Sequence, residues 1–423
     1  MNSASHPRAG TQGTPDIPAL TGVRAIAAFS IAAGHIYPPV GELTLLGMPL
    51  FFTLSGFIIH YVYADTFAGS WRKAALAFAG ARFSRIYPLY AALLVVAILT
   101  TQMGRDLYNA ADFRAMAAYV FACWTWLPLW VDGKSAQDWY YSISWSIPTE
   151  IFFYVSYALV FYRVAGIRRA KTCFIALIAL CAGAYAWFYF LFLTRDIWEG
   201  FLLQHFSGFP SRTENLADSV YRWFLYISPN SRIFEFVGGC LTCQLFLLLR
   251  RDGQLDRDSR PRHLGWLAVA LIAVILFAFD RVSQHQPWLT DHSATSFFMI
   301  LNMNFLLAPF CYALLFSLAV GGSVLARLLS SSLMVLAGTI SYSTYLGHPL
   351  ATMFIRDSAI GNLHHTTILK MVAAYVFSWM FYVSLEVPAK TLLRRLFAAL
   401  TFSRRPSAAA GLSDTAPDRR PAE

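Results

Sequence analysis

Arg24 and His35 stand eleven residues apart in an otherwise apolar run, LTGVRAIAAFSIAAGHIYPP. At 3.6 residues per turn that is close to three whole turns, so both side chains share one helix face, about 16 Å apart along the axis. An ionisable group inside an apolar span costs about 2.5–3.5 kcal/mol on insertion scales and so needs a reason. Taken singly, Arg24 reads as a snorkelling side chain and His35 as an interface histidine; the shared face favours chemistry. A neutral imidazole suits general-base work on a hydroxyl, and a guanidinium suits an anion. Between the two, Ala28, Ser30 and Ala32 are small and leave room beside the helix.

Other residues extend this set. Arg82 and Arg85 in ARFSRIYPLY lie three apart, on one face if helical. They fit either basic anchoring at the membrane edge or a planar, bidentate phosphate clamp. Glu150 sits about two turns into the apolar run of ISWSIPTEIFFY, where a carboxylate is protonated or paired, with bundle Arg or His as partners. Trp145 reads as an interface anchor, and Pro148 falls in the first turn, where its missing N–H costs little. ISYSTYLGHPL gathers Ser341, Ser343, Thr344, Tyr345 and His348, either as a hydrophilic pocket wall or as interhelical hydrogen bonds. Ser55 in LFFTLSGFII, with Gly47 and Gly56, reads first as close helix packing. Cys240 and Cys243 form a CxxC inside an apolar run with no second pair; small packing residues are expected, and no metal site.

A bilayer is the solvent that would position such groups. The chain has 423 residues, 57% hydrophobic and 13% charged, with mean hydropathy +0.50. Soluble domains carry about a quarter charged residues, so a secreted disulfide scaffold or a disordered chain is excluded. Ten spans of about 20 residues are expected: 18–39, 44–63, 85–102, 143–163, 172–193, 232–249, 264–280, 296–320, 333–355 and 367–388. The fold class is thus all-α, a polytopic bundle of about ten transmembrane helices with both termini cytoplasmic. Residues 1–17 form a short cytoplasmic tail, 18–388 the membrane domain, and 389–423 a basic tail disordered from 403 onward. This arrangement puts 22 of the 33 Lys and Arg inside and 10 outside, which is the positive-inside pattern. The net charge of +10 is therefore a topology signal, and no nucleic-acid partner is expected. Segment 115–131, short and Trp-bearing, is expected as an interfacial or re-entrant helix on the outer face.

At these motifs the chain resembles acyltransferase family 3, the integral-membrane O-acyltransferases that modify bacterial surface polysaccharides and related acceptors. The blocks follow in order: LTGVRAIAAFSIAAGH with the family's Arg-x10-His, LFFTLSGFII, RFSRIYPLY, SWSIPTEIFFY, RIFEFVGGCL and ISYSTYLGHPL. One block departs, with Ile-Pro-Thr-Glu where members commonly carry Leu-Ser-x-Glu. The resemblance implies an enzyme of the bacterial cytoplasmic (inner) membrane that takes an acyl group, usually acetyl, from acyl-CoA. The acceptor is a hydroxyl of a lipid-linked or extracytoplasmic carbohydrate, such as an exopolysaccharide. Acyl-CoA is then a donor substrate and not a resident cofactor. Membrane lipids and other polysaccharide-assembly proteins are the remaining expected partners. His35, Glu150 and Arg24 become the expected catalytic residues, with Glu150 orienting His35. Arg82 and Arg85 become the donor-binding pair, and Ser55, Trp145, Tyr345 and His348 the substrate pocket. From residue types alone, a proton-coupled secondary transporter built on the intramembrane Arg, His and Glu stays open, as does a structural subunit.

The charge bias makes the topology testable. A reporter fused after about residue 70 should read out as cytoplasmic and one near 210 as external. Outward exposure of the turn at Arg72–Arg82 would invert donor access and overturn the orientation.

Overall fold

The computed structural model describes residues 15–68, 70–100, 130–131, 134–135, 145–206, 209–216, 219–257, 260–283, 292–355 and 363–402. Helices dominate it: α1 (Pro18–Ile36), α2 (Thr44–Tyr63), α3 (Trp71–Thr100), α4 (Ser146–Leu159), α5 (Ala170–Leu193), α6 (Arg195–His205) and α7 (Pro229–Arg251). These are followed by α8 (Arg260–Ser283), α9 (Ala294–Asn304), α10 (Ala308–Val320), α11 (Ser332–Thr339), α12 (Ser341–Phe354), α13 (Leu363–Phe381) and α14 (Val387–Phe402). A two-residue antiparallel ladder pairs Trp130–Val131 with Lys134–Ser135. The expected interfacial helix thus ends in extended residues, while 115–129, Cys123 and the tail from 403 lie outside the described residues.

Among the described residues, seven helical stretches are long and apolar enough to cross a bilayer: Pro18–Ile36, Pro38–Tyr63, Ala170–Leu193, Val220–Arg251, Arg262–Ser283, Ala294–Val320 and His364–Phe397. The chain is an integral membrane protein. Three expected spans take other forms. The one at 85–102 starts earlier, at Trp71, so Arg72, Lys73 and Arg82 ride on α3 together with Arg85 instead of in a preceding loop. The one at 143–163 shortens to the 14 residues of α4, followed by a 3-10 turn over Phe161–Gly166. The one at 333–355 breaks at Ile340 into α11 and α12. Gly338, Thr339, Ser341, Ser343 and Thr344 crowd that break, and such residues weaken helices through backbone freedom and competing side-chain hydrogen bonds.

Close approach of backbones holds the bundle together. A Cβ on Gly56 of α2 would run into the Phe236 carbonyl of α7, and one on Gly239 of α7 would run into the Thr53 carbonyl of α2. Each helix therefore supplies the glycine that admits the other's backbone, as small residues do in membranes. The same exchange ties α1 to the α11 region, where Gly22 faces the Leu329 carbonyl and Gly338 faces that of Thr21. Cys240 and Cys243 are fully buried free thiols at the α2–α7 seam, with Cys240 Sγ donating to the Gly56 carbonyl at 3.4 Å. They pack, as expected. An aromatic core of Phe52, Phe78, Phe153, Tyr157 and Phe236 joins α2, α3, α4 and α7. By contrast, α5 and α8 leave Phe174, Ile175, Ile178, Leu267, Val274 and Phe277 exposed, the surface a lipid chain would cover.

Overfilling the α2–α7 seam should be costly. Gly56→Val should lower the thermal stability of the detergent-solubilised protein by an amount corresponding to about 1–3 kcal/mol or more. Gly183→Ala on α5, where an added Cβ meets nothing within 4 Å, should leave the melting temperature the same or higher.

Candidate active site

Six of the nine expected site residues meet around one cavity of about 70 Å³: Arg24, Ser55, Arg82, Arg85, Glu150 and Tyr345. They come from α1, α2, α3, α4 and α12. Phe51, Phe52, Ile58, Ile86 and Tyr342 supply its apolar and aromatic wall. The wall thus carries three guanidinium groups and one carboxylate.

Glu150 is held from two sides. Ser55 Oγ donates to its Oε1 at 3.1 Å, and the Tyr154 hydroxyl donates to the same oxygen. Tyr154 lies one turn further along α4, a partner that the i, i+4 spacing contained but that sequence reasoning missed. Ser55 therefore does more than pack. Arg82 sits in an aromatic cage, its Cζ 5.1 Å from the Tyr63 ring centroid, 5.7 Å from Phe78 and 5.8 Å from Tyr154. Such ring faces attract a desolvated cation. One Arg82 terminal nitrogen donates to Tyr63 Oη at 3.2 Å, while its buried Nε has no hydrogen-bond partner among the described residues. Arg24 and Arg85 make no hydrogen bond or ion pair among the described residues, so their donor forks stay available to an anion in the cavity. Planar guanidinium groups with uncommitted donors match phosphate oxygens. Tyr345 closes one wall, its hydroxyl 2.8 Å from Ser146 Oγ.

His35 and His348 form a second, separate feature. His35 Nδ1 lies 2.9 Å from His348 Nε2. His348 is buried, whereas His35 is exposed at the end of α1. The expectation that Glu150 orients His35 is not met, because the two have different partners. No spacing pattern announces the histidine pair, which joins positions 313 apart. Nor does the small-residue face between Arg24 and His35 stay open. Ala28 and Ala32 are buried, Ala32 in a cluster with Ile36 and Ala374 of α13, and Ser30 turns back to the Ile26 carbonyl at 2.8 Å.

Trp145, the ninth expected residue, stands beside a fully buried ion pair on α7. Arg232 bonds Glu235 at 3.0 Å and donates to the carbonyls of Tyr226, Asn304 and Met303. Its guanidinium lies 4.1 Å from the Tyr226 ring centroid and 5.7 Å from that of Trp145. Trp145 thus helps wall in a cation at the start of α4. The RIFEF motif contained Arg232 and Glu235 at i, i+3, without a sign that both would be buried.

A membrane-embedded helical bundle with a cation-lined internal cavity and a histidine at the other end of the same first helix is what these residues build. The acyltransferase domain profile matches residues 17–383, which take in α1 to α13 and every site residue above; the chain belongs to acyltransferase family 3. It is similar to YrhL of Bacillus subtilis (strain 168), provisionally named a peptidoglycan O-acetyltransferase, at 22% identity over 93% of this chain and 58% of the relative. It is also similar to the peptidoglycan O-acetyltransferase OatA of Listeria monocytogenes, at 21% identity over 88% of this chain and 56% of the relative. The chain therefore spans less than three-fifths of the length of either relative. No solved structure matches it significantly.

The buried ion pair gives a stability prediction. Arg232→Met should cost about 3–5 kcal/mol by stranding Glu235. Adding Glu235→Leu should recover much of the lost melting temperature in detergent. A double variant no more stable than the single one would mean that the carbonyl contacts of Arg232, not the stranded charge, carry the loss.

Proposed function

We propose that the protein is a membrane O-acyltransferase that moves an acyl group, acetyl by preference, from cytoplasmic acyl-CoA to a hydroxyl of a lipid-linked or extracytoplasmic carbohydrate. The observation that carries this reading is the distribution of polar groups along α1. Arg24 opens into a cavity with Arg82 and Arg85, and His35 stands about three turns away. The three arginines suit the phosphates of the donor. The thioester arm would reach from them toward His35, where a sugar hydroxyl arrives from the outer side, by a path other than the closed Ala28–Ala32 face of α1. The names of the two relatives favour acetyl as the group and a cell-envelope glycan as the acceptor. The topology that goes with this is ten spans and both termini in the cytoplasm of a bacterial inner membrane. Membership of an acyltransferase family leaves no reason to prefer a proton-coupled transporter.

In the reaction, His35 takes the hydroxyl proton as the oxygen attacks the thioester carbonyl. The new C–O bond forms, the C–S bond breaks, and the imidazolium returns the proton to the departing thiolate. Ester and free thiol are the products, with atoms and charge balanced. Glu150 then works in the donor cavity, as the counter-charge to three arginines, and not beside the imidazole.

The test is acyl transfer from radiolabelled acetyl-CoA in membranes, with protein levels matched by immunoblot. His35→Ala should lower turnover about 10²–10⁴-fold, the usual share of general-base assistance, or about 3–5 kcal/mol. Arg82→Ala and Arg85→Ala should raise the KM for donor, with Lys restoring only part because it lacks the planar fork. In cells, deletion should remove acyl esters from surface glycan, read by mass spectrometry. Near-parental turnover in a normally expressed His35→Ala protein would sink the catalytic assignment, and unchanged donor affinity in both arginine variants would return Arg82 and Arg85 to topology anchors.

A further inference from the structure

The contacts of His348 determine which nitrogen of His35 carries a proton. His348 Nδ1 lies 2.8 Å from the Tyr345 carbonyl and 3.2 Å from that of Thr344. A carbonyl oxygen only accepts, so His348 Nδ1 must carry the hydrogen. Pro349 makes this partner available. In a helix the amide of residue 349 would bond the carbonyl of residue 345, but proline has no N–H. The vacated Tyr345 carbonyl is taken by the imidazole of the preceding residue. With its hydrogen on Nδ1, a neutral His348 presents only a lone pair at Nε2. The 2.9 Å contact then requires His35 Nδ1 to be the donor.

The ring geometry agrees. The two planes are inclined by 16° and their centroids lie 5.2 Å apart. That separation is about the N···N distance plus one ring radius at each end. The rings therefore meet edge to edge through an in-plane hydrogen bond, not face to face. His35 Nε2, in turn, has no hydrogen-bond partner among the described residues.

We propose that His348 is a positioning residue, held by the carbonyl that Pro349 leaves vacant, and that it fixes His35 in the Nδ1–H tautomer with Nε2 bare toward the acceptor hydroxyl. The inference rests on the acyl-transfer reading for its use, though not for its geometry. Free imidazole side chains prefer the opposite tautomer, with the proton on Nε2, in which that nitrogen cannot take a proton. The pair is not a relay: the far hydrogen of His348 points at backbone carbonyls, which pass no proton on. A proton taken at His35 Nε2 stays there until the departing thiolate collects it.

Two measurements separate this inference from the function it serves. The first is solid-state NMR of the full chain in lipid bilayers with ¹⁵N-labelled histidine, the His35 signals assigned by their loss in His35→Gln. Expected are a protonated Nδ1 and a bare Nε2 on His35, with the order reversing in His348→Leu. A protonated Nε2 in the parent protein, or no change in His348→Leu, would overturn the proposal whether or not acyl transfer is observed. The second is kinetic. His348→Leu should lower kcat about 10²-fold, the lower end of general-base assistance, with the KM for acetyl-CoA unchanged. His348→Gln, whose amide oxygen can accept from His35 Nδ1, should recover most of that loss. Equal loss in both variants, or a loss seen only as reduced protein, would reduce His348 to a structural residue. A parent protein that transfers no acyl group from any donor tried would overturn the function, and the NMR result would still decide the tautomer.

Discussion

Three guanidinium groups around a small cavity inside an apolar bundle are the constraint on which the rest of the site depends. Removing a cation from water is expensive, and like charges compound the cost. The bundle offsets this in three ways. Glu150 supplies one negative charge, fixed by Ser55 and Tyr154. Aromatic faces of Tyr63, Phe78 and Tyr154 surround Arg82. The remaining donors open into the cavity and are left for a ligand. In the proposed function the donor's phosphates would supply the balancing negative charge that Glu150 alone does not bring to the cavity wall.

That arrangement needs helices closer together than ordinary side chains allow. Ser55 reaches Glu150 because α2 is pulled against α7 through Gly56 and Gly239, while the aromatic core holds α4 over both. Arg24 reaches the same cavity because α1 is seated against Leu329 through Gly22 and against α11 through Gly338. The buried Arg232–Glu235 pair anchors the start of α7 to the Tyr226, Met303 and Asn304 carbonyls, and Trp145 leans on it at the start of α4. Stability and site geometry share the same contacts, so the glycines matter for function without touching any reactant.

Much of this was legible in the sequence because membrane burial makes polar residues conspicuous. Arg24, Arg82, Arg85 and Glu150 each stood out against apolar surroundings, and the structure brings them together. The second helix runs over 44–63 as expected. What stayed hidden has identifiable causes. Hydropathy averages over a window and does not see Gly338 and the hydroxyls that break 333–355 at Ile340. Basic residues look like a loop when they ride on the end of a long helix, as Arg72 and Lys73 do on α3. Long-range pairing is invisible to any local pattern. Nothing near His35 points to His348, and nothing in ISWSIPTEIFFY tells whether Glu150 turns toward a histidine or toward a serine on another helix. Tyr154 was readable from its spacing to Glu150, but a tyrosine in an apolar run reads as core.

The separation of the two features along α1 has an electrostatic rationale. In the proposed reaction His35 becomes an imidazolium while the donor arginines remain charged. At an effective dielectric of about 20, a second cation costs about 4 kcal/mol at 4 Å and about 1 kcal/mol at 16 Å. An imidazole placed among Arg24, Arg82 and Arg85 would face that larger penalty from each of them and would make a poor base. Three turns of helix remove most of it, while keeping base and anion site on one rigid element whose spacing cannot drift. The donor's own phosphates, once bound, would cancel more of the positive field. On this view the Arg-x10-His spacing is a compromise: long enough to let a histidine accept a proton, and short enough for a single extended donor to reach both ends.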